Sequence, residues 1–249
     1  MKSYVKQHIN NGIGYIEFYH PAHNSLPGDL LKQLANTISE AGENKDIKVM
    51  VLKSGGDRTF CAGASFNELI NINDAKTGHL FFSGFANVIN AMRKCPKFII
   101  GRIQGKTVGG GVGLAAATDY CMATKFAAIK LSELNVGIGP FVVGPAIERK
   151  IGLSGFSQIA MDANTFYSAE WAKQKGLYTQ VFETSNELDE AIVEFAENLS
   201  DYNSEAMQVL KAVFWKGTEH WDQLLLERAK ISGKLVLSEF TKEKLKGFK

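Results

Sequence analysis

Two short turns rich in small residues are the parts of this sequence where chemistry is most clearly implied. The first turn reads Thr59-Phe60-Cys61-Ala62-Gly63-Ala64-Ser65-Phe66, and the second reads Gly109-Gly110-Gly111-Val112-Gly113. Each follows a predicted strand and precedes a predicted helix, where unpaired backbone N–H groups and the positive end of the helix dipole face outward. Small residues let a ligand approach the backbone closely. Two such turns in succession favour hydrogen bonding to a ligand over tight strand–helix packing alone.

Other catalytic patterns are absent from the sequence. It contains no phosphate-binding GxxxxGK[ST], no zinc-binding HExxH and no GxSxG nucleophile elbow. The five histidines lack metal-ligand spacing, and Gly137-Ile138-Gly139 does not fit a dinucleotide-binding fingerprint. We therefore predict neither a metal site nor a bound cofactor.

The elements that must position the two turns alternate in type. From Gly12 to about Leu131, short β-branched or aromatic runs alternate with amphipathic helical patterns, which is typical of α/β proteins. Beyond about Phe141 the pattern becomes helical, apart from a short strand-like run at 178–182. Thr184 and Glu187 have the spacing of a capping box that opens a helix. Strands are predicted at 13–18, 47–52, 98–104, 120–123 and 128–131, and helices around 30–38, 81–92 and 112–117.

Composition and charge narrow the class of protein. The chain has 249 residues, 45% of them hydrophobic, and a formal net charge of +2, so neither a nucleic acid nor a membrane is a predicted partner. Cys61, Cys95 and Cys121 lie far apart and indicate free thiols in a reducing compartment. The first residues lack the apolar run of a signal peptide, so we expect a cytoplasmic protein.

A series of short motifs follows one another along the chain. The motifs are Phe60-Cys61-Ala62-Gly63-Ala64, Ile103-Gln104-Gly105, Gly109-Gly110-Gly111, Leu114-Ala115 with Asp119, and Leu131-Ser132-Glu133. Together they resemble the crotonase, or enoyl-CoA hydratase/isomerase, superfamily. The resemblance covers nearly the whole chain in order, and its motifs gain specificity from their sequence and spacing. It implies the crotonase (ClpP-like) α/β fold of repeated strand–strand–helix units with a C-terminal helical region.

The same resemblance implies two regions and an assembly. Residues 1–184 are expected to form an acyl-CoA-binding core, and residues 185–249 a helical oligomerisation region of a homotrimer or homohexamer. Large apolar residues in this second region also suggest subunit packing, because a small terminal bundle could not easily bury them alone. They are Trp215, Trp221, Leu224, Leu225 and Leu226.

Site residues also follow from the resemblance. It implies that the backbone N–H groups of Ala64 and Gly110 form an oxyanion hole for the carbonyl of an acyl-CoA thioester, while Glu133 transfers protons. Coenzyme A then enters as part of the substrate rather than as a cofactor. The remaining substrate- or CoA-binding candidates are Cys61, Ala62, Gly63, Ser65, Gly109, Gly113, Arg58 and Lys106, with Arg58 expected near the phosphates.

One position departs from the two-glutamate hydratases of this family. Gly113 stands where they carry their first catalytic carboxylate, which leaves Glu133 alone. A single carboxylate is compatible with hydration or dehydration, with double-bond isomerisation and with decarboxylation. Residues 110–115, 131–134 and 137–143 resemble the crotonase branch that contains 3-methylglutaconyl-CoA hydratases, and they are similar to dehydratases that act on 3-hydroxy-3-methylglutaryl-type thioesters. This finer resemblance favours an acyl-CoA hydro-lyase, with 3-methylglutaconyl-type thioesters as the expected substrates. The alternatives are an enoyl-CoA isomerase and a non-catalytic acyl-CoA binder.

Two further expectations depend on space and charge around Gly113 and Glu133. A Gly113→Glu substitution is expected to restore two-carboxylate chemistry if the cavity has room. A 3-methylglutaconyl-type substrate carries a second carboxylate, which calls for a cation. Arg102, Lys106 and Arg149 are the candidates.

Overall fold

A computed structural model describes residues 2–246 and contains nine strands and ten α-helices in that range. The strands are β1 Tyr4–Asn10, β2 Ile13–Tyr19, β3 Val49–Ser54, β4 Thr59–Cys61, β5 Ile99–Ile103, β6 Lys106–Val108, β7 Tyr120–Thr124, β8 Ile129–Lys130 and β9 Gln180–Phe182. The helices are α1 Gly28–Glu43, α2 Phe66–Leu69, α3 Ala75–Lys94, α4 Gly110–Ala117, α5 Gly144–Met161, α6 Ala169–Gln174, α7 Ser185–Ser200, α8 Ser204–Phe214, α9 Trp221–Leu235 and α10 Glu239–Lys246. A 3-10 helix covers Glu133–Val136. None of the helices in residues 2–246 has the length and apolar character of a membrane span.

Six strands form the larger sheet, in the order β1-β2-β3-β5-β7-β9. Strands β1 and β2 pair antiparallel, and the other neighbours pair in parallel. Five of the six residues of β3 are buried, as expected for a parallel strand covered on both faces. The predicted α/β class is confirmed, and each predicted strand and helix is present with shifted ends. The edge strand β1 was not predicted.

The smaller sheet positions the two turns. It has the order β4-β6-β8, and both of its pairings are parallel. Strand β4 runs into the first turn, β6 into the second, and β8 into the segment that carries Glu133. Because parallel strands end at the same edge of a sheet, all three segments leave it on one side. Strand β8 lies within the strand predicted at 128–131, whereas β4 and β6 were not predicted, because strands this short carry little periodic signal.

Helix α7 covers the second face of the larger sheet. It begins with the predicted capping box, in which Thr184 and Glu187 each bond the other's backbone N–H. Leu188, Ile192 and Ala196 recur on one face and form a separate apolar cluster with buried residues of the sheet. The region after residue 184 therefore shares an interface with the core, and the division at that residue stays a prediction.

The later helices pack into the main core. Helix α9 lies against α3 so closely that a Cβ atom on Gly78 would sit 2.7 Å from the carbonyl oxygen of Gly233. Trp215, Trp221 and Leu225 are buried within this single chain. The expectation that these three side chains need a partner subunit for burial is therefore wrong.

A buried ion pair ties helix α8 to the main sheet. The Asp119 carboxylate accepts hydrogen bonds from Ile99 N at 2.8 Å and from Trp215 Nε1 at 2.8 Å, and it lies 2.9 Å from Lys211 Nζ. The ammonium also donates to the carbonyl oxygen of Lys97, and Lys211 is only 1% exposed. With so many partners, both buried charges are satisfied.

We expect Asp119→Ala to lower the free energy of unfolding by about 3–5 kcal/mol, because it leaves the Lys211 ammonium buried without its counter-charge. Urea denaturation of the purified protein measures this change. Glu183→Ala is the matched control, since it removes the exposed ion pair with Lys125 and should cost less than about 1 kcal/mol. Equal losses in the two variants would contradict a special role for the buried pair.

Candidate active site

One cavity of about 650 Å³ opens at the edge where the strands of the smaller sheet end. Both turns, helices α2 and α3, the 3-10 helix and residues 138–143 contribute to its wall. Ser232 of α9 and Lys244 of α10 complete it. Five of the lining residues are aromatic, which makes part of the wall apolar. The aromatic members are Phe66, Phe81, Phe82, Phe85 and Phe141.

In the first turn, the backbone N–H of Ala64 points away from the neighbouring segment at Leu26. Leu26 N donates to Gly63 O at 2.8 Å, and Ser65 N donates to Leu26 O at 3.1 Å. The N–H of Ala64 belongs to the same planar peptide as the Gly63 carbonyl and points the opposite way. This amide has no hydrogen-bond acceptor among residues 2–246, and Ala64 lines the cavity. It is a free donor.

The second turn supplies another such amide. Gly109 N continues the sheet by donating to Lys130 O at 2.9 Å. Gly110 then begins α4, and the first N–H of a helix has no intrahelical acceptor. Within the described chain we find no other acceptor for it. The two turns lie close together, because a Cβ atom on Gly63 would stand 3.5 Å from Gly110 N.

Glycine is required where the second turn meets its neighbours. Gly109 has φ 54° and ψ −118°, a conformation that residues with a side chain rarely adopt. A Cβ atom on Gly109 would lie 2.8 Å from Glu133 Oε1, and one on Gly110 would lie 2.3 Å from Phe85 Cζ. The absence of side chains thus allows both the carboxyl group and the aromatic ring to touch the turn.

Glu133 brings the only carboxyl group to the described wall of this cavity. It is the first residue of the 3-10 helix, and its Oε2 is buried without a hydrogen-bond partner in residues 2–246. Burial raises the pKa of Glu133 to about 7, against a smaller lowering by the backbone N–H groups of Glu133 and Ser132. A carboxyl group with this pKa both takes and gives a proton near neutral pH.

The other first-turn candidates lie at or just behind the wall. Ala62 and Gly63 line the cavity. Ser65 is buried and caps α2, with its hydroxyl accepting a hydrogen bond from Glu68 N at 3.4 Å. Cys61 is buried outside the lining, and burial raises the pKa of its thiol to about 12, so this thiol stays protonated.

Gly113 faces the protein interior rather than the cavity. A Cβ atom at this position would lie 2.5 Å from Val143 Cγ1 and 2.7 Å from Val143 Cβ. Val143 fills the space beside the helix that a carboxylate at position 113 would need. A glutamate at position 113 would therefore have to displace Val143, which lines the cavity, before its carboxylate could reach the cavity.

The predicted cations lie outside the cavity wall. Arg102 is bonded through Nε and Nη2 to the carboxylate of Asp189, and the Arg149 guanidinium lies 4.3 Å from the centroid of the Trp215 ring. Arg58 and Lys106 are exposed and do not contribute to the lining. The expectation that Arg102 or Arg149 serves the cavity is wrong.

Two lysines that the sequence analysis missed do line the cavity. They are Lys130, three residues before Glu133 on β8, and Lys244 on α10. The position of Lys130 next to the motif that carries Glu133 was the available signal. The described residues hold no group of three or more histidine, cysteine, aspartate or glutamate side chains suited to a metal ion.

Comparison with known proteins identifies the family of this chain. A sequence model described as enoyl-CoA hydratase/isomerase matches residues 8–248. The peroxisomal Delta(3,5)-Delta(2,4)-dienoyl-CoA isomerase of Arabidopsis thaliana is 27% identical over 231 residues, which are 86% of this chain and 81% of that protein. The mitochondrial methylglutaconyl-CoA hydratase of Mus musculus is 30% identical over 200 residues, which are 79% of this chain and 63% of that hydratase. The chain thus spans somewhat less than two thirds of the hydratase.

A solved structure confirms the predicted crotonase fold. The enoyl-CoA hydratase from Bacillus halodurans superposes with a TM-score of 0.91 at 22% identity, covering 98% of this chain and 100% of that one. The family model spans nearly the whole sequence, and the motifs around Ala64, Gly110 and Glu133 all lie within the matched region. This chain belongs to the enoyl-CoA hydratase/isomerase family.

Proposed function

We propose that the protein is an acyl-CoA hydro-lyase, which adds water to an enoyl-CoA of the 3-methylglutaconyl type or removes it in reverse. The observation that carries the proposal is the buried Glu133 carboxyl group, set against a turn whose free amide belongs to Gly110. The methylglutaconyl-CoA hydratase relative, at 30% identity, supports the choice of reaction and substrate.

The two free amides would stabilise the charge that the reaction creates. Addition at the β-carbon of an enoyl thioester produces an enolate, whose negative charge resides on the thioester oxygen. Ala64 N and Gly110 N are donors fixed in advance by the folded backbone, within an apolar cavity. Loss of one such donor typically raises a reaction barrier by about 2.7–4 kcal/mol.

Glu133 can carry out both proton transfers of the hydration. As a carboxylate it takes a proton from water while the hydroxide oxygen bonds to the β-carbon and the double-bond electrons move toward the thioester oxygen. The resulting carboxylic acid then gives its proton to the α-carbon as the enolate collapses. No net proton is gained or lost by the protein, and dehydration follows the same steps in reverse.

Double-bond isomerisation is the second candidate, and a specific observation favours it. Val143 occupies the space beside Gly113, so Glu133 is left as the one carboxyl group of the described cavity wall. A single carboxyl group suffices to take a proton from the γ- or α-carbon and return it to the other. The dienoyl-CoA isomerase relative, at 27% identity, is consistent with this reaction.

The products distinguish the two reactions. We expect 3-methylglutaconyl-CoA incubated in ¹⁸O-labelled water to gain the mass of one labelled water, because Glu133 activates water in the cavity. Liquid chromatography with mass spectrometry measures this gain, and a 3-enoyl-CoA in a parallel reaction reports double-bond movement. Shifted double bonds without any added water would overturn the hydro-lyase in favour of the isomerase.

Replacing Glu133 should separate catalysis from binding. We expect Glu133→Gln to lower kcat by at least ~10²-fold, because the amide neither takes nor gives the required proton. The dissociation constant of a saturated acyl-CoA should stay within about threefold in calorimetry, since the amide has a similar shape. Glu170→Gln, at an exposed position of α6, is the matched control. Full activity in the Glu133 variant would remove this residue from the mechanism.

The pH dependence follows from the raised pKa of Glu133. Either direction of the reaction begins with the carboxylate, so kcat/KM should fall as the pH drops through about 7 and level off above it. An ordinary glutamate would place this acidic limb near 4.5. A profile that stays flat down to pH 5.5 would show that the reacting base is not this buried carboxyl group.

A further inference from the structure

Lys130 is the feature of the cavity that the proposed steps do not use. The ionisable residues in the described lining are Glu133, Lys130 and Lys244, and no ion pair joins the glutamate to either lysine. The groups that lower the pKa of Glu133 are backbone N–H groups rather than a lysine ammonium. The Glu133 carboxyl group therefore does not neutralise the positive charge of Lys130.

The backbone of Lys130 lies next to the turn that would hold the thioester oxygen. Lys130 pairs with Val108 on the adjacent strand, and its carbonyl oxygen accepts the hydrogen bond from Gly109 N. One strand spacing, about 4.8 Å, thus separates its backbone from the second turn. The side chain starts close to the reacting end of a bound substrate.

A second lysine, Lys106, lies beside the same aromatic ring as Lys130, at an exposed position outside the cavity lining. The ammonium groups of Lys130 and Lys106 each lie 5.2 Å from the centroid of the Phe166 ring. Neither forms an ion pair with an acid of residues 2–246. Two like charges gathered at one ring repel each other, and an anion that reaches them reduces this repulsion.

A neighbouring amide adds a hydrogen-bond donor to the cavity wall. Asn135 Nδ2 donates to Asn164 Oδ1 at 2.9 Å and to Ala163 O at 2.8 Å. This arrangement engages the oxygen of Asn164 and leaves its Nδ2 without an acceptor in the described chain. Both asparagines line the cavity together with Lys130. Apart from Glu133, this wall presents donors and positive charge without a competing acid.

We propose that Lys130, reinforced by Lys106, binds a carboxylate at the far end of the acyl group, and thereby selects thioesters of dicarboxylic acids. The inference rests on the proposed function, because it assumes that an acyl-CoA thioester occupies the two amides of Ala64 and Gly110. A carboxylate a few bonds beyond the thioester carbonyl matches the position of Lys130 beside that turn. The phosphates of CoA lie a whole pantetheine arm away from the carbonyl.

Binding of unreactive thioesters tests this selection without any turnover. Glutaryl-CoA ends in a carboxylate, whereas pentanoyl-CoA has the same chain length and ends in a methyl group. We expect Lys130→Met to weaken glutaryl-CoA binding by about tenfold or more, as for the loss of a charge-assisted hydrogen bond. Pentanoyl-CoA and free CoA should stay within about twofold of the original protein in isothermal titration calorimetry.

Two further variants control for folding and for charge. Lys175→Met removes an ammonium that lies 5.8 Å from the Trp171 ring, outside the cavity lining, and should leave all three dissociation constants unchanged. Lys130→Arg keeps the positive charge and should retain the preference for glutaryl-CoA. Thermal unfolding of each variant confirms that the fold is intact.

The outcomes separate this inference from the proposed reaction. Equal weakening of glutaryl-CoA, pentanoyl-CoA and CoA by Lys130→Met would mean that Lys130 binds a CoA phosphate, and would overturn the inference. Unchanged binding, or an original protein without preference for glutaryl-CoA, would overturn it as well. A Lys130-dependent preference in a protein that adds no water would instead leave the inference standing and refute the hydro-lyase.

Discussion

The site depends on the absence of side chains along the second turn. At Gly109, Gly110 and Gly111 in succession, a Cβ atom would collide with Glu133, with the Phe85 ring and with the Cys61 carbonyl oxygen. Because these glycines have no side chains, the carboxyl group of Glu133, the ring of Phe85 and the first turn all pack directly against the second turn. Residues without reactive side chains can therefore contribute to the proposed site, because their hydrogen-bond donors are backbone N–H groups.

The stability of the fold alone would not favour the position of the Glu133 carboxyl group. Glu133 Oε2 is buried without a partner, which is costly for an ionised group and favours the protonated form. Asp119 shows the opposite arrangement, with both oxygens bonded and a lysine ammonium beside them. The Asp119 carboxylate thus holds a helix against the sheet through its ion pair. The Glu133 carboxyl group, in contrast, can change its charge near neutral pH.

The sequence predicted the long helices and strands better than the short strands and the cavity wall around Glu133. Periodic patterns predicted α1 and α3, and the capping box at Thr184 predicted the start of α7. Strands β4 and β6 of the smaller sheet were not predicted because a run of three residues shows no period. The position of Lys130 in the cavity was missed because a lysine is usually exposed. The choice of a cation among Arg102, Lys106 and Arg149 required knowledge of their tertiary partners, such as Asp189 for Arg102.

Ser232 and Lys244 complete the wall of a cavity whose two small-residue turns occur more than a hundred residues earlier in the chain. The contact between α3 and α9 spans a similar separation, so its formation must overcome the entropy of a long loop. During synthesis on the ribosome, both amide-bearing turns emerge well before the helices that enclose them. The pocket can therefore exclude solvent only late in the maturation of the polypeptide.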